Sequence, residues 1–212
     1  MNFDAFLKYL PKIAKENLIG EEAHEKMMPA ARIAIFKNLN LDKIVARKAC
    51  VLMLLYPKNN ETYLVLILRN SYKGVHSSQI GFPGGKVEDS DLSLEDTALR
   101  ETFEEIGIDR KRITVLKPFT EIYIPPSNFK VYPFLGYSQE ELTFVPDNRE
   151  VSGIIEMPLS VLLDEKTLVT KTLSTSYVEE VGVPSFKFKD YYIWGATSQM
   201  LNELKEVIKK VL

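Results

Sequence analysis

The sequence predicts a mixed α/β domain. Short runs rich in Val and Leu are bounded by Pro, Gly and Asn, as strands are. Stretches at both ends carry apolar residues at helical spacing. Between them, a glycine-rich turn leads into a strongly charged helical segment. In order along the chain, residues 1–45 read as mostly helical, with Phe3, Phe6, Leu7, Leu10 and Ile13 at helical spacing and Pro11 an interruption. Residues 48–56 and 62–69 read as two strands of a hairpin around Pro57-Lys58-Asn59-Asn60. A short segment, 79–82, ends at Pro83-Gly84-Gly85, and a helix over 92–106 stops near Gly107. Residues 113–124 and 129–137 read as strands flanking Pro125-Pro126-Ser127-Asn128. A strand over 151–156, a short helix over 158–163, a late hairpin from 168–174 and 186–194, and an amphipathic helix over 197–212 complete the reading.

Composition narrows the chemistry. A chain of 212 residues, 45% hydrophobic and 26% charged, has the make-up of a globular protein. It should bury roughly 70% of its unfolded surface without disulfides. Lys and Arg total 27 against 29 Asp and Glu, which excludes a strongly basic nucleic-acid binder. Cys50 is the single cysteine, and its apolar strand marks it as an inert core thiol; His24 and His76 are the only histidines. A cysteine- or histidine-rich metal centre is therefore excluded, and any catalytic metal must be held by oxygen, as magnesium or manganese are. The N-terminus lacks a basic, apolar leader, and no apolar run is long enough to span a bilayer, so the expectation is a soluble cytoplasmic protein without membrane partners.

The sharpest feature is Arg100-Glu101-Thr102-Phe103-Glu104-Glu105-Ile106-Gly107-Ile108. At about 100° per residue, Glu101, Glu104 and Glu105 share roughly a 100° arc, with Leu92, Leu99, Phe103 and Ile106 expected on the opposite, core-facing side. Three such carboxylates repel one another, and a divalent cation reverses the sign of that interaction. Taken alone, the pattern reads more often as a solvated acidic face with Arg100 pairing Glu104. Its context differs: Gly81-Phe82-Pro83-Gly84-Gly85-Lys86 lies just upstream, and glycines there permit close backbone approach to a ligand. From Lys86 to Asp109 there are nine acids and two bases, so the near-neutral total conceals a local acidic site.

The segment from Gly85 to Ile108 resembles the signature of the Nudix hydrolases, Gly-x5-Glu-x7-Arg-Glu-U-x-Glu-Glu-x-Gly-U, where U is a bulky apolar residue. Gly85, Arg100, Glu101, Glu104, Glu105, Gly107 and Ile108 match. Asp91 stands for the first glutamate, the gap to Arg100 is one residue too long, and Thr102 replaces a bulky apolar residue. The stretch from Arg69-Asn70-Ser71 through His76-Ser77-Ser78-Gln79 to Phe82-Pro83-Gly84-Gly85-Lys86 is similar to the coenzyme A pyrophosphatase branch. So are Asn148-Arg149-Glu150-Val151, Pro158-Leu159 and Ile193-Trp194-Gly195-Ala196-Thr197.

The resemblance implies a Nudix fold, a mixed β-sheet sandwiched between helices, over residues 46–212, with 1–45 as a helical extension. It implies cleavage of the pyrophosphate of coenzyme A or an acyl-CoA, giving 3',5'-ADP and a 4'-phosphopantetheine. Glu101, Glu104 and Glu105 are then the ligands of magnesium or manganese, and Arg100 orients them. One of them, or Glu150 outside the signature, is the base. Arg69, His76, Gly84, Gly85 and Lys86 are the expected substrate contacts. Trp194 and Tyr192 either stack on adenine or, as the favoured reading, fill the core. Residues 1–45 either cap the domain or build a homodimer. Two other readings compete: a Nudix pyrophosphatase for ADP-ribose, NADH or dinucleoside polyphosphates, and a Nudix-fold binding module without turnover.

Overall fold

A computed structural model describes residues 1–39, 44–70, 79–173 and 181–212. Its centre is a mixed sheet built on β1 (Arg47–Lys58). β1 pairs antiparallel with β2 (Glu61–Arg69) through a two-residue turn in which Asn59 and Asn60 both take positive φ, 48° and 62°. Asparagine tolerates this region, and the turn's twist suits a tight hairpin. The strand thus runs through Pro57 and Lys58, which the sequence assigns to the turn.

On its other edge, β1 runs parallel to β7 (Phe129–Tyr137), while the short β4 (Gly84–Lys86) pairs antiparallel with Ala49–Val51 on the same edge as β2. β2 also pairs with β3 (Ile80–Gly81) and β8 (Val151–Pro158), and β7 with β5 (Thr114–Pro118) and β6 (Ile122–Ile124). The single strand expected over 113–124 is therefore two. Between them the Phe119 N–H bonds to the Pro133 carbonyl, and Thr120 turns to Glu203.

Alternation along β1 builds two cores, because successive side chains point to opposite faces. Cys50, Leu52, Leu54 and Tyr56 face α5 (Leu94–Ile106), joined by Val65, Ile67, Ala98 and Ile106. Ala49, Met53 and Leu55, with Leu64 and Leu66, face the C-terminal helix, α7 (Ala196–Val211). Four short helices precede the sheet: α1 (Phe3–Leu7), α2 (Leu10–Lys15), α3 (Glu21–Glu25) and α4 (Ala30–Lys37). Pro11 sits in the first turn of α2, where its missing N–H costs nothing. Phe3, Phe6, Leu10, Ile13 and Met27 join the α7-side core, so α1 and α2 add to that layer. A short α6 (Leu159–Leu163) follows β8, and a separate antiparallel sheet holds β9 (Leu168–Leu173), β10 (Val181–Phe188) and β11 (Tyr191–Ile193).

The link between the early helices and α7 is a buried, hydrogen-bonded carboxylate. The Glu203 carboxylate accepts from the Gly20 N–H (2.9 Å), the Thr120 hydroxyl (2.6 Å) and the Thr120 N–H (3.3 Å), with His24 Nε2 at 3.3 Å. Burial pushes this carboxyl up, but the hydrogen bonds from His24, Thr120 and Gly20 outweigh burial and hold it below its ordinary range.

Candidate active site

α5 begins where Ser93 accepts a hydrogen bond from the Asp96 N–H, and ends at Gly107, whose φ of 73° is the left-handed closure glycine favours. Its inner stripe is Ala98, Thr102, Glu105 and Ile106. This corrects the expected core face. Leu92 precedes the cap and is 90% exposed, and Phe103 is 56% exposed. Small and hydroxyl side chains let the helix lie close to the sheet, and Thr102 satisfies its hydroxyl on the Ala98 carbonyl at 2.7 Å. The absent bulky residue at 102 is thus a buried, satisfied one.

The glycine turn lies against this helix. Gly84 has φ 150°, and a Cβ there would fall 2.2 Å from the Cys50 carbonyl oxygen, so only glycine fits. Its N–H donates to Glu105 Oε2 at 2.8 Å, and its carbonyl accepts from Arg69 Nη2 at 2.6 Å. Both polar backbone groups of Gly84 are therefore engaged within the chain. A Cβ on Gly85 would lie 2.4 Å from the Glu101 carboxylate, so the bare backbone is what lets Glu101 reach across the short strand.

Two arginines organise the acids. Arg100 donates from Nε to Asp91 Oδ1 (2.7 Å) and from Nη1 to Glu101 (3.1 Å) and Glu104 (3.0 Å). Its Nη2 donates to the Lys86 carbonyl (3.0 Å) and to Asp91 Oδ2 (3.0 Å). The guanidinium holds the Asp91 carboxyl well below the usual carboxylate range, and Asp91 in turn accepts from Thr97 and the Glu88 N–H. Asp91 therefore fixes Arg100, which fixes two glutamates. Arg69 Nη1 lies 3.0 Å from Glu105 Oε1, at an angle outside hydrogen-bond geometry, so this buried oxygen accepts no hydrogen bond. Burial pushes the Glu105 carboxyl up to about 7, with Arg69 and the Gly84 N–H opposing and Glu101 and Glu150 adding to the shift. Burial likewise raises Glu101, with Arg100 opposing.

These groups open on a cavity of about 630 Å³. Arg69, Gly84, Gly85, Lys86, Glu101, Glu104, Glu105 and Glu150 all line it. Arg100 does not line it, although it is ion-paired to Glu101 and Glu104, which do. His76 lies outside the described residues. The cavity also has an apolar wall that includes Val51, Ile124, Phe129, Met200 and Trp194. Trp194 is 36% exposed there rather than buried, which corrects its reading as a core residue. Tyr192 is not in the wall; its ring lies under Lys171 Nζ, 4.0 Å from the centroid. Cys50 is fully buried and its thiol is pushed up to about 11 by burial, in keeping with an inert role. Arg32 on α4 also lines the cavity, and no sequence motif marks it.

A sequence model of the NUDIX domain matches residues 46–174. The chain belongs to the Nudix family. Among curated Nudix proteins, it is 30% identical to the uncharacterized Nudix hydrolase NudL of Yersinia enterocolitica over 148 residues, 70% of this chain and 75% of that one. It is 28% identical to the mitochondrial Nudix hydrolase 15 of Arabidopsis thaliana over 169 residues, 76% of this chain but 58% of the longer plant protein. The fold is also that of a Nudix hydrolase from M. smegmatis, RenU (TM-score 0.54, 17% identity, 79% of this chain and 88% of that one). A MutT/nudix family protein from Enterococcus faecalis is similar too (TM-score 0.53, 19% identity, 89% and 74%). The molecule is thus a Nudix hydrolase, an enzyme acting on a pyrophosphate linkage, with the mixed sheet and flanking helices of that fold.

Nudix hydrolases generally use divalent metal ions, and the residues here fit one. The donors are carboxylate oxygens, Glu105 Oε1 is buried without a hydrogen bond, and Gly85 leaves the space that Glu101 fills. Among the described residues no three Asp, Glu, His or Cys side chains stand close enough together to hold a metal ion as they are placed, and the three glutamates are ion-paired to Arg100 and Arg69. No helix among the described residues is long and apolar enough to cross a membrane.

Proposed function

We propose that this Nudix hydrolase cleaves the pyrophosphate of coenzyme A or an acyl-CoA to 3',5'-ADP and a 4'-phosphopantetheine. The observation that carries this reading is the cavity's mixed lining: carboxylates at the glycine turn, together with the apolar side chains of Val51, Ile124, Phe129, Met200 and Trp194. A pantetheine arm carries a gem-dimethyl group and methylene chains beside its hydroxyl and two amides and can use such a lining, whereas the terminal ribose of ADP-ribose calls for polar partners. The Phe82-Pro83-Gly84-Gly85-Lys86 turn, similar to that of the coenzyme A branch, supports the same reading.

Glu101, Glu104 and Glu105 would hold the divalent cation, magnesium or manganese. When bound, it neutralises phosphate charge and lowers the pKa of a water. Arg100, held by Asp91, keeps Glu101 and Glu104 in register, and Arg69 does so for Glu105. Lys86, exposed at the cavity edge, meets the phosphates. Glu150 takes the proton of the attacking water. It lines the cavity at the start of β8 and, unlike the three signature glutamates, has no basic side chain in ion-pair range among the described residues. The test is to incubate the protein with magnesium and coenzyme A and to analyse the products. Formation of 3',5'-ADP supports the reading; intact coenzyme A beside cleaved ADP-ribose refutes it.

A further inference from the structure

We propose that Arg32 binds the phosphomonoester carried on the ribose of the substrate's nucleotide half. α4 buries none of its side chains, yet Arg32 is half-buried and reaches the cavity wall. Its guanidinium lies over the Phe36 ring, 5.6 Å from the centroid, and among the described residues no carboxylate is in ion-pair range. Burial lowers its pKa with no carboxylate offsetting the effect. The contrast with the other cavity arginine is sharp, since Arg69 is committed to Glu105 and the Gly84 carbonyl. A partly desolvated guanidinium that has no counter-ion among the described residues and faces a site for anionic substrates is suited to bind an anion.

Its position separates it from the scissile phosphates. The glutamates enter the cavity from the α5 layer. α4 follows α3, which is fastened to α7 on the other face of the sheet: Asn202 Nδ2 donates to the Ala23 carbonyl at 2.8 Å, and Lys26 pairs with Glu206 at 3.6 Å. Arg32 therefore serves a second anionic group rather than the pyrophosphate at the glycine turn. Coenzyme A carries such a group, the ribose 3'-phosphate, so the assignment rests on the coenzyme A reading.

Calorimetric titration of the full chain with 3',5'-ADP and with 5'-AMP, both lacking a pyrophosphate, tests it without turnover. The wild type is expected to prefer 3',5'-ADP by about tenfold to hundredfold, the value of a charge-assisted contact. Arg32→Gln should remove that preference, and Arg32→Lys should restore part of it. Because α4 buries no side chain, melting temperatures should agree within about 2 °C. No preference in the wild type, or equal weakening of both nucleotides in Arg32→Gln, overturns the assignment. Uncleaved coenzyme A with an Arg32-dependent preference would instead refute the hydrolytic reading and leave Arg32 in place.

Discussion

Gly85→Ala separates positioning from folding. The new Cβ would stand 2.4 Å from the Glu101 carboxylate, while ordinary contact begins at 3.4 Å, so the carboxylate must retreat by about 1 Å. The obstructing atoms are the far end of a flexible side chain, and Gly85 does not need positive φ, so the fold accommodates the methyl group. A misplacement of about 1 Å in a catalytic group costs on the order of a hundredfold in rate. Steady-state assays should therefore show kcat/KM down about a hundredfold, with a melting temperature within about 2 °C of wild type. Gly84→Ala is the control, since its Cβ would strike the backbone of β1 at 2.2 Å in a strained conformation. It should destabilise the protein by about 2–5 kcal/mol through overpacking and strain. Wild-type kcat/KM in Gly85→Ala would refute the claim that this glycine exists to admit Glu101.

Glu104→Gln and Glu105→Gln should each abolish turnover while leaving the fold intact; wild-type rates in both would contradict the metal assignment. Glu150→Gln should lower kcat by about 10²–10⁴ yet keep the rise in melting temperature on adding magnesium, and loss of that rise would make Glu150 a ligand rather than the base. In metal-free protein Glu105 titrates near 7 when folded against an ordinary 4.5, so the folded chain binds more protons between those values. Stability should therefore fall as pH rises from about 4.5 to about 7, and Glu105→Gln should flatten that slope in urea denaturation; an unchanged slope contradicts the shift. Glu203→Ala strands the donors of Gly20, Thr120 and His24, and should cost about 3–5 kcal/mol, or about 6–20 °C in melting temperature. A loss under about 2 °C would show the cluster to be dispensable.

The glutamate helix was legible because spacing and chemistry coincide there. One 3.6-residue period carries Glu101, Glu104 and Glu105, and a glycine pair just upstream leaves room for them. The central strands were legible for a similar reason, since β1 and β2 are bounded by turn residues and filled with Val and Leu. The inner face of α5 was not, because its stripe of Ala98, Thr102 and Glu105 is small or polar and the exposed Leu92 and Phe103 outweigh it in any count of apolar residues. The break at 119–121 depends on Glu203, more than eighty residues away, and no local pattern encodes such a contact. Trp194 is a large aromatic that burial statistics place inside, whereas here the cavity wall claims it. Arg32 has no motif, and the fastening of α3 to α7 that helps carry α4 to the site joins parts of the chain far apart in sequence.

The most direct test presents coenzyme A and ADP-ribose together, at equal concentration, to the magnesium-loaded enzyme and follows both by chromatography. The account predicts that 3',5'-ADP and 4'-phosphopantetheine accumulate first, and that Glu105→Gln forms neither. Preferential loss of ADP-ribose with coenzyme A intact would contradict it.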